Sequence, residues 1–355
     1  MSCNKSQDVR VIRINGKKKQ GVRLILWALL LSCAGCGKPV AYSGFEGATM
    51  GTYYRLQYRL TSGCEPNQQR VDGFLIQFNK GLSTYIEDSE ISEINAAPAG
   101  RPLPISPRFA RVLDAAMQVQ QQTGGAFDVT VGPLVNLWGF GPEDRQDAPS
   151  LDEQARAGEA VGMNLISMET ANGEWALVKA HPNTYIDLSA LAKGFAVDEL
   201  AQQLRAAGCG HFMVDIGGEV SAQGHSPSGR AWRIGVEAPA PDRQGSVQRV
   251  LSIDGQAVAT SGDYRNFREI DGLRIDHVFD PRSRRPADNA VASATVIHPQ
   301  AMFADAYATA LMVLGVDEGL ALAKDLDLPV LIIAKSADGR FVERYTPVMQ
   351  PFLVH

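Results

Sequence analysis

The stretch Tyr185-Ile-Asp-Leu-Ser-Ala-Leu-Ala-Lys-Gly194 contains the change of pattern that decides the fold. Its first four residues favour a β-strand, and the sequence from Ser189 onward predicts a helix with Ser189 as the N-cap and Gly208 at its end. Apolar residues recur on one face of that helix, at Leu191, Phe195, Leu200 and Leu204. A strand that runs directly into an amphipathic helix indicates a chain in which both element types share one core.

Working outward from this segment, helical and strand patterns alternate irregularly. Helical spacing of apolar residues covers 68–80, 106–122 and, in an Ala-rich stretch, 301–314, which is followed by a further helix. Strand patterns cover 52–60, 212–216 and 329–333, with several β segments between 219 and 297. No regular βαβ repeat connects them, so the sequence predicts an α+β fold rather than a doubly wound sheet.

The composition is that of an ordinary globular protein. The chain has 355 residues, of which 45% are hydrophobic and 21% are charged, so it can bury a substantial core. The formal net charge is −5, and no large basic patch follows the first residues, which argues against nucleic acid as a partner.

The N-terminal residues resemble a bacterial secretory signal rather than part of the fold. Lys17, Lys18, Lys19 and Arg23 precede an apolar run over 24–31 that is too short for a mature membrane span. Leu30-Leu-Ser-Cys33 and Cys33-Ala-Gly-Cys36 both resemble a lipobox, in which the cysteine becomes the lipidated first residue. We therefore predict a signal peptide over 1–36, a tether over 37–45 and one folded domain over 46–350; a plain cleaved signal is the alternative.

Two cysteines, Cys64 and Cys209, lie beyond the signal. An oxidising compartment would allow them to pair, but their spacing does not show whether they meet. In the same part of the sequence neither a Cys-x-x-Cys pair nor a His cluster suggests zinc.

Asp305 and Thr309 form a candidate metal-binding pair. They are four residues apart in a predicted helix, so both side chains project from one face. A carboxylate and a hydroxyl are hard oxygen ligands of the kind that Mg²⁺ prefers, with phosphates and water completing its shell. Spacing alone favours ordinary helix packing, because such pairs are common.

The remaining candidate features are each weak evidence of a functional site when taken alone. Lys193 lies in the first turns of a helix whose free amides would suit a phosphate, although a solvated lysine on a capped helix is the simpler interpretation. The Gly217-Gly218 turn permits close backbone approach. His277 can accept a proton near neutral pH, and Tyr264 can equally be a packed edge aromatic.

Taken together and in order, these motifs resemble the ApbE family of FAD:protein FMN transferases. The resemblance extends over nearly everything from Met50 to the last strand. It rests on long motifs: Met50-Gly-Thr, Ser83-Thr-Tyr85, Gly124-Gly-Ala-Phe-Asp-Val-Thr-Val-Gly-Pro-Leu134, Trp138-Gly-Phe-Gly141, Asp187-Leu-Ser-Ala-Leu-Ala-Lys-Gly194, Thr260-Ser-Gly-Asp-Tyr264, His277-Val-Phe-Asp-Pro281 and Ala304-Asp-Ala-Tyr-Ala-Thr309.

The resemblance implies a role for each matching residue. It implies an α+β fold of two interlocked subdomains with FAD between them and Mg²⁺ on the FAD diphosphate. Asp305 and Thr309 would be side-chain ligands of the metal, and Ala190 would supply a backbone carbonyl. His277 is our candidate general base. The residues that would contact FAD are Met50, Ser83, Thr84, Tyr85, Ala126, Phe127, Asp128 and Lys193.

The resemblance also implies a reaction, a partner and a location. FMN would pass from FAD to a Ser or Thr hydroxyl of an acceptor protein, with release of AMP. Acceptors would be flavin subunits of membrane redox complexes, of the sodium-pumping NADH:quinone reductase or a related electron-transport type. The enzyme would be lipid-anchored at the periplasmic face of a bacterial membrane, with the inner membrane favoured.

Two other functions use the same sequence features. An FAD pyrophosphatase would use water as the acceptor, and a non-catalytic periplasmic lipoprotein would only bind FAD. Tyr85 favours transfer, since relatives that lean towards FAD hydrolysis have Asn at this position.

Overall fold

A computed structural model describes residues 41–142, 145, 147–171, 173–239, 246–263, 267–270 and 273–354. The predicted signal peptide and lipobox over 1–36 and the motif residue Tyr264 lie outside these described residues. From Ala41 onward the chain forms one compact unit.

Seven α-helices lie in the described part of the chain: α1 Gln68–Leu82, α2 Glu90–Ala96, α3 Pro107–Gln122, α4 Gly132–Leu137, α5 Leu151–Glu159, α6 Ser189–Ala206 and α7 Ala301–Asp325. Short 3₁₀ turns cover Met163–Leu165 and Pro347–Phe352.

The strands are β1 Tyr42–Thr49, β2 Thr52–Arg59, β3 Leu103–Ile105, β4 Ile166–Ala171, β5 Glu174–Lys179, β6 Phe212–Ile216, β7 Glu219–Gln223, β8 Trp232–Glu237, β9 Val247–Ile253, β10 Gln256–Gly262, β11 Phe267–Ile270, β12 Leu273–Asp276, β13 Phe279–Asp280, β14 Arg285–Pro286, β15 Val291–His298, β16 Val330–Lys335 and β17 Phe341–Tyr345.

An eight-stranded sheet in the order β1-β2-β6-β7-β10-β15-β16-β17 forms the centre of the unit, and its neighbouring strands pair antiparallel. A three-stranded sheet, β3-β5-β4, forms a second layer. The chain starts in the large sheet, leaves it for the segment from α1 to β5, and returns at β6. The α+β prediction is confirmed.

Helices α6 and α7 pack against each other and against the large sheet. Helix α7 is the one helix of the described residues that is long and apolar enough to cross a membrane, but 61% of its apolar window is buried in the folded unit. It is therefore a core helix. At Gly315, where φ is +78°, the helical path is interrupted, so the two predicted helices of this region are confirmed as consecutive segments.

Three sequence predictions need correction. The tether predicted over 37–45 overlaps strand β1, which begins at Tyr42 because residues 42–49 pair with β2. Residues 185–188 do not form a strand; Tyr185 makes one isolated bridge with Val131. Ser189 does not cap α6, since its backbone N–H and its hydroxyl both donate to Asp187 Oδ1, at 2.9 Å and 2.5 Å.

Cys64 and Cys209 form a disulfide, which answers the question that the sequence left open. Both residues are buried, and the bond joins the loop after β2 to the end of α6, across a sequence separation of 145 residues. Closing so long a loop removes conformational freedom from the unfolded chain and stabilises the fold by about 3 to 5 kcal/mol.

Candidate active site

The site is built where α6 and α7 come unusually close to each other. A Cβ atom on Gly194 would lie 2.3 Å from the carbonyl oxygen of Ala301 and 2.8 Å from Cα of Met302, so only glycine fits. One turn later in α6, Asp198 accepts hydrogen bonds from the N–H groups of Ala301 and Met302, at 2.7 Å and 2.9 Å. The carboxylate satisfies two of the free donors at the start of α7 and fixes the position of that helix.

Close helix packing brings Lys193 of α6 between two carboxylates. Its Nζ lies 3.7 Å from Oδ2 of Asp305 on α7 and 3.5 Å from Oε1 of Glu219 at the start of β7. Asp305 Oδ2 also accepts a hydrogen bond from the N–H of Gly194, at 3.2 Å. Asp305 and Glu219 are each 3% exposed, so these charges interact in a medium far less polar than water.

Burial and charge act in opposite directions on the pKa values of this group. Burial lowers the pKa of Lys193, but the neighbouring Asp305 and Glu219 outweigh it and hold the pKa above its usual value. Burial raises the pKa of Asp305 and raises that of Glu219 to about 8, in both cases against the influence of Lys193. Lys193 therefore keeps its positive charge. That single charge does not fully offset the cost of burying the two carboxylates of Asp305 and Glu219.

Asp305 and Thr309 lie one turn apart on α7, as predicted. Thr309 Oγ1 is 3.2 Å from Oγ of Ser261, which belongs to β10. Ala190, on α6, lies at the same cavity as this pair. The arrangement brings a carboxylate, a hydroxyl and a backbone segment from two helices to one place.

A cavity of about 370 Å³ opens at this group of residues. Besides Lys193, Glu219, Asp305 and Thr309, its walls include the following residues: Tyr85, Ala126, Phe127, Asp128, Val129, Val131, Val135, Phe140, Asp187, Ser189, Ala190, Gly217, Thr260, Ser261, Gly262, His277, Val278, Phe279, Pro281 and Val313. The walls combine apolar and aromatic residues with charged ones, as in sites for small organic ligands that carry a charged group.

Nine of the twelve predicted site residues line this cavity, namely Tyr85, Ala126, Phe127, Asp128, Ala190, Lys193, His277, Asp305 and Thr309. They come from five separate parts of the sequence. Met50, Ser83 and Thr84 are not part of its walls.

These three residues lie behind or beside the cavity. Met50 occupies the tight turn between β1 and β2, with φ of +50°, and packs against the core. Ser83 Oγ accepts a hydrogen bond from the N–H of Tyr85, at 3.3 Å. Thr84 is buried, and its side chain is hydrogen-bonded to that of Tyr185. Ser83 and Thr84 therefore shape the loop that presents Tyr85.

Tyr85 lies at the mouth of the cavity. Its side chain is 69% exposed, and its hydroxyl donates to the carbonyl oxygen of Phe140, at 3.4 Å. Partial desolvation, together with the negative charge of Asp187, raises the pKa of Tyr85. An exposed aromatic ring beside an apolar wall is a suitable platform for a planar ring system.

Asp128 organises the loop that it belongs to. Its Oδ1 accepts hydrogen bonds from the N–H and the hydroxyl of Thr130, at 2.7 Å and 2.5 Å, and its Oδ2 accepts from the N–H of Met163, at 3.1 Å. With both oxygens occupied, the Asp128 side chain fixes the backbone beside the buried Ala126 and Phe127.

His277 directly follows β12 and lines the cavity, with its ring centroid 6.4 Å from that of Phe140. The preceding Asp276 accepts a hydrogen bond from the N–H of Val278, at 2.7 Å, and burial raises the pKa of Asp276 to about 6. This turn places His277 at the cavity wall.

Ala190, Asp305 and Thr309 offer a carbonyl, a carboxylate and a hydroxyl oxygen on residues that line one cavity. No group of three or more His, Cys, Asp or Glu side chains that could hold a metal occurs among the residues described. A cage of carboxylates or imidazoles is therefore not what this part of the chain offers. Carboxylate, hydroxyl and carbonyl oxygens, completed by oxygens of a ligand, are the mixed set that Mg²⁺ accepts.

Sequence reasoning missed Glu219 and Asp187 as site residues. Asp187 lies at the cavity and holds the start of α6. Glu219 directly follows the Gly217-Gly218 turn. The sequence signal that could have identified it is a charged residue placed between two glycines and an apolar strand. Its importance emerges only when β7 is paired with β6, which points the side chain towards Lys193.

The fold and the cavity define a class: an α+β enzyme whose cavity combines a buried ammonium–carboxylate group with aromatic side chains. The chain belongs to the ApbE family, whose profile matches residues 50–332.

Two curated relatives, both FAD:protein FMN transferases, match most of the chain. That of Vibrio cholerae is 42% identical over 93% of this chain and 98% of the relative. That of Escherichia coli K12 is 35% identical over 87% of this chain and 88% of the relative. Both alignments extend well beyond the site motifs into the rest of the fold.

The fold is also similar to solved structures of ApbE proteins. The flavin transferase ApbE from Vibrio cholerae superposes with a TM-score of 0.81 at 40% identity, covering 89% of this chain and all of the other. The apo form of the flavinyl transferase ApbE of Pseudomonas stutzeri superposes with a TM-score of 0.79 at 36% identity, covering 88% of this chain and 97% of the other.

The close approach of α6 and α7 predicts the effect of a single methyl group. Replacing Gly194→Ala forces the helices apart at Ala301 and should lower the free energy of unfolding by about 1 to 3 kcal/mol. Gly73→Ala is the matched control, because Gly73 lies inside α1 with no atom near its Cβ position, and it should stabilise the protein by up to about 1 kcal/mol. Urea unfolding followed by circular dichroism compares the two, and equal midpoints for Gly194→Ala and the parent would contradict the packing argument.

Proposed function

We propose that this protein transfers FMN from FAD to a Ser or Thr hydroxyl of an acceptor protein, in a Mg²⁺-dependent reaction that releases AMP. The observation that carries the proposal is the meeting of Lys193, Asp305 and Thr309 at one cavity, in a chain whose relatives are FAD:protein FMN transferases. The acceptors would be flavin subunits of membrane redox complexes, of the sodium-pumping NADH:quinone reductase or a related electron-transport type.

Asp305, Thr309 and the carbonyl of Ala190 would hold the Mg²⁺ ion. When bound, the ion supplies neutralisation of the diphosphate charge and so makes the phosphoanhydride easier to break. Lys193 would add its positive charge to that of the ion and bind the phosphate oxygens. This ammonium is held in position by Asp305 and Glu219, so it needs little rearrangement when the substrate binds.

His277 would accept the proton of the acceptor hydroxyl. The hydroxyl oxygen then forms a bond to the phosphorus of the FMN half, and the bond from that phosphorus to the bridging oxygen breaks. AMP leaves with the bridging oxygen, and the acceptor carries FMN as a phosphoester. Tyr85 and Phe140 at the cavity mouth would cover the flavin ring and restrict water, which would otherwise compete as an acceptor.

The His277→Ala variant tests the proton-transfer step. Transfer of FMN to an acceptor peptide should fall by a factor of about 10² to 10⁴, while FAD binding is retained. The assay incubates the purified protein with FAD, Mg²⁺ and a Ser/Thr-containing acceptor peptide and follows flavin fluorescence on the peptide in a denaturing gel. Full activity of the variant would exclude His277 as the base. Free FMN and AMP without labelled peptide would indicate a pyrophosphatase, and FAD binding without turnover a storage protein.

The Asp305→Asn variant tests the metal site. It keeps the side-chain shape but removes the charge, so the Mg²⁺ concentration that gives half-maximal transfer should rise at least roughly tenfold. Asp325→Asn, at the far end of the same helix, is the matched control and should behave like the parent. An unchanged Mg²⁺ requirement in Asp305→Asn would remove this residue from the metal site.

We also propose that the mature protein is lipid-anchored at the periplasmic face of the membrane. The signal-like N-terminal sequence with its lipobox cysteines supports this location, and so does the disulfide between Cys64 and Cys209, because such bonds persist in oxidising compartments. Mass spectrometry of the mature N-terminal peptide should find a diacylglyceryl group on Cys33 or Cys36. An unmodified N-terminus after cleavage would contradict the anchor.

A further inference from the structure

Glu219 is a buried carboxylate for which the proposed reaction has no direct task. It begins β7 directly after the Gly217-Gly218 turn, and both glycines have positive φ, of +64° and +110°. This turn brings the chain back along β6 and directs the Glu219 side chain into the cavity lined by Asp305 and Thr309.

One oxygen of Glu219 is engaged and the other is not. Oε1 lies 3.5 Å from Nζ of Lys193. Oε2 is buried and has no hydrogen-bond partner within the described part of the chain. A buried carboxylate oxygen without a partner is costly, so sites that retain one normally satisfy it with a ligand.

The charges around Glu219 indicate which kind of ligand would satisfy its Oε2. When both are ionised, Glu219 and Asp305 carry two negative charges, and Lys193 supplies one positive charge between them. Asp187, at the same cavity, adds a further carboxylate. An excess of buried negative charge repels an anionic substrate but stabilises a cation, and a divalent ion would reverse the sign of the group.

A second interpretation is that Glu219 only holds Lys193 in place. That role uses Oε1 and leaves Oε2 unexplained. It would also be fulfilled by Asp305 alone, which lies at a similar distance from Nζ, 3.7 Å.

We propose that Glu219 is a further acidic residue of the divalent-cation site, with Oε2 acting on the ion or on its bound water. This inference rests on the proposed Mg²⁺ dependence and adds a residue to it. Glu219 would thus join the cation and Lys193 into one unit.

The test uses Mn²⁺ as the probe and protein without FAD, so it does not depend on activity. Mn²⁺ binding to the EDTA-treated protein is measured by electron paramagnetic resonance of the free ion. In Glu219→Gln the dissociation constant should rise by roughly 10- to 100-fold. Glu174→Gln removes an exposed carboxylate on β5 and should bind Mn²⁺ like the parent.

Thermal unfolding separates a metal role from a merely structural one. Without metal, Glu219→Gln should unfold at the same temperature as the parent or higher, because a buried carboxylate whose Oε2 has no partner is replaced by a neutral amide. The increase in Tm on adding Mn²⁺ should be smaller in the variant than in the parent. If the variant is less stable without metal and shows the full increase with Mn²⁺, Glu219 only supports Lys193 and the proposal is overturned.

Asp305→Asn distinguishes failure of this proposal from failure of the metal site as a whole. Weaker Mn²⁺ binding in Asp305→Asn together with unchanged binding in Glu219→Gln refutes only the role of Glu219. Unchanged binding in both variants refutes the cation site itself. Weaker binding in both supports a site with two carboxylates.

Discussion

The contact between α6 and α7 at Gly194 is the constraint on which the site depends. Because Gly194 has no side chain, the backbone of α7 can approach until its first amides reach Asp198 and Asp305 comes within reach of Lys193. Each of these polar groups would be costly to bury alone. Packed together, they partly compensate each other, and the helix pair becomes a rigid support for charged chemistry.

The large antiparallel sheet and the separate two-stranded sheet of β11 and β12 supply further side chains of the site. Strand β7 contributes Glu219 at its first residue, β10 contributes Ser261, and the turn after β12 contributes His277. These residues are distant in sequence but lie at one end of the two helices. The charged wall of the cavity is therefore set by the core, whereas the mouth is formed by loops around Tyr85 and Phe140.

The division between core and loops suits a transferase that must accept part of another protein. In the proposed reaction the rigid wall would hold the diphosphate in one position, because developing charge is stabilised best by groups already in place. The mouth would admit a peptide segment and restrict water, and the exposed Tyr85 lies there. Loops that carry function on a rigid scaffold are a common arrangement.

The sequence by itself determined the helices with a clear apolar period, such as α1 and α3. It also determined the pairing of Asp305 with Thr309 on one helical face, because helix geometry relates residues four apart without any tertiary information. Long motifs also identified the family. Tertiary structure alone decided that Cys64 meets Cys209, that Asp187 rather than Ser189 organises the start of α6, and that Glu219 faces Lys193. These contacts join residues far apart in the chain or depend on the exact path of a turn. Local sequence patterns do not encode which distant surfaces will pack together.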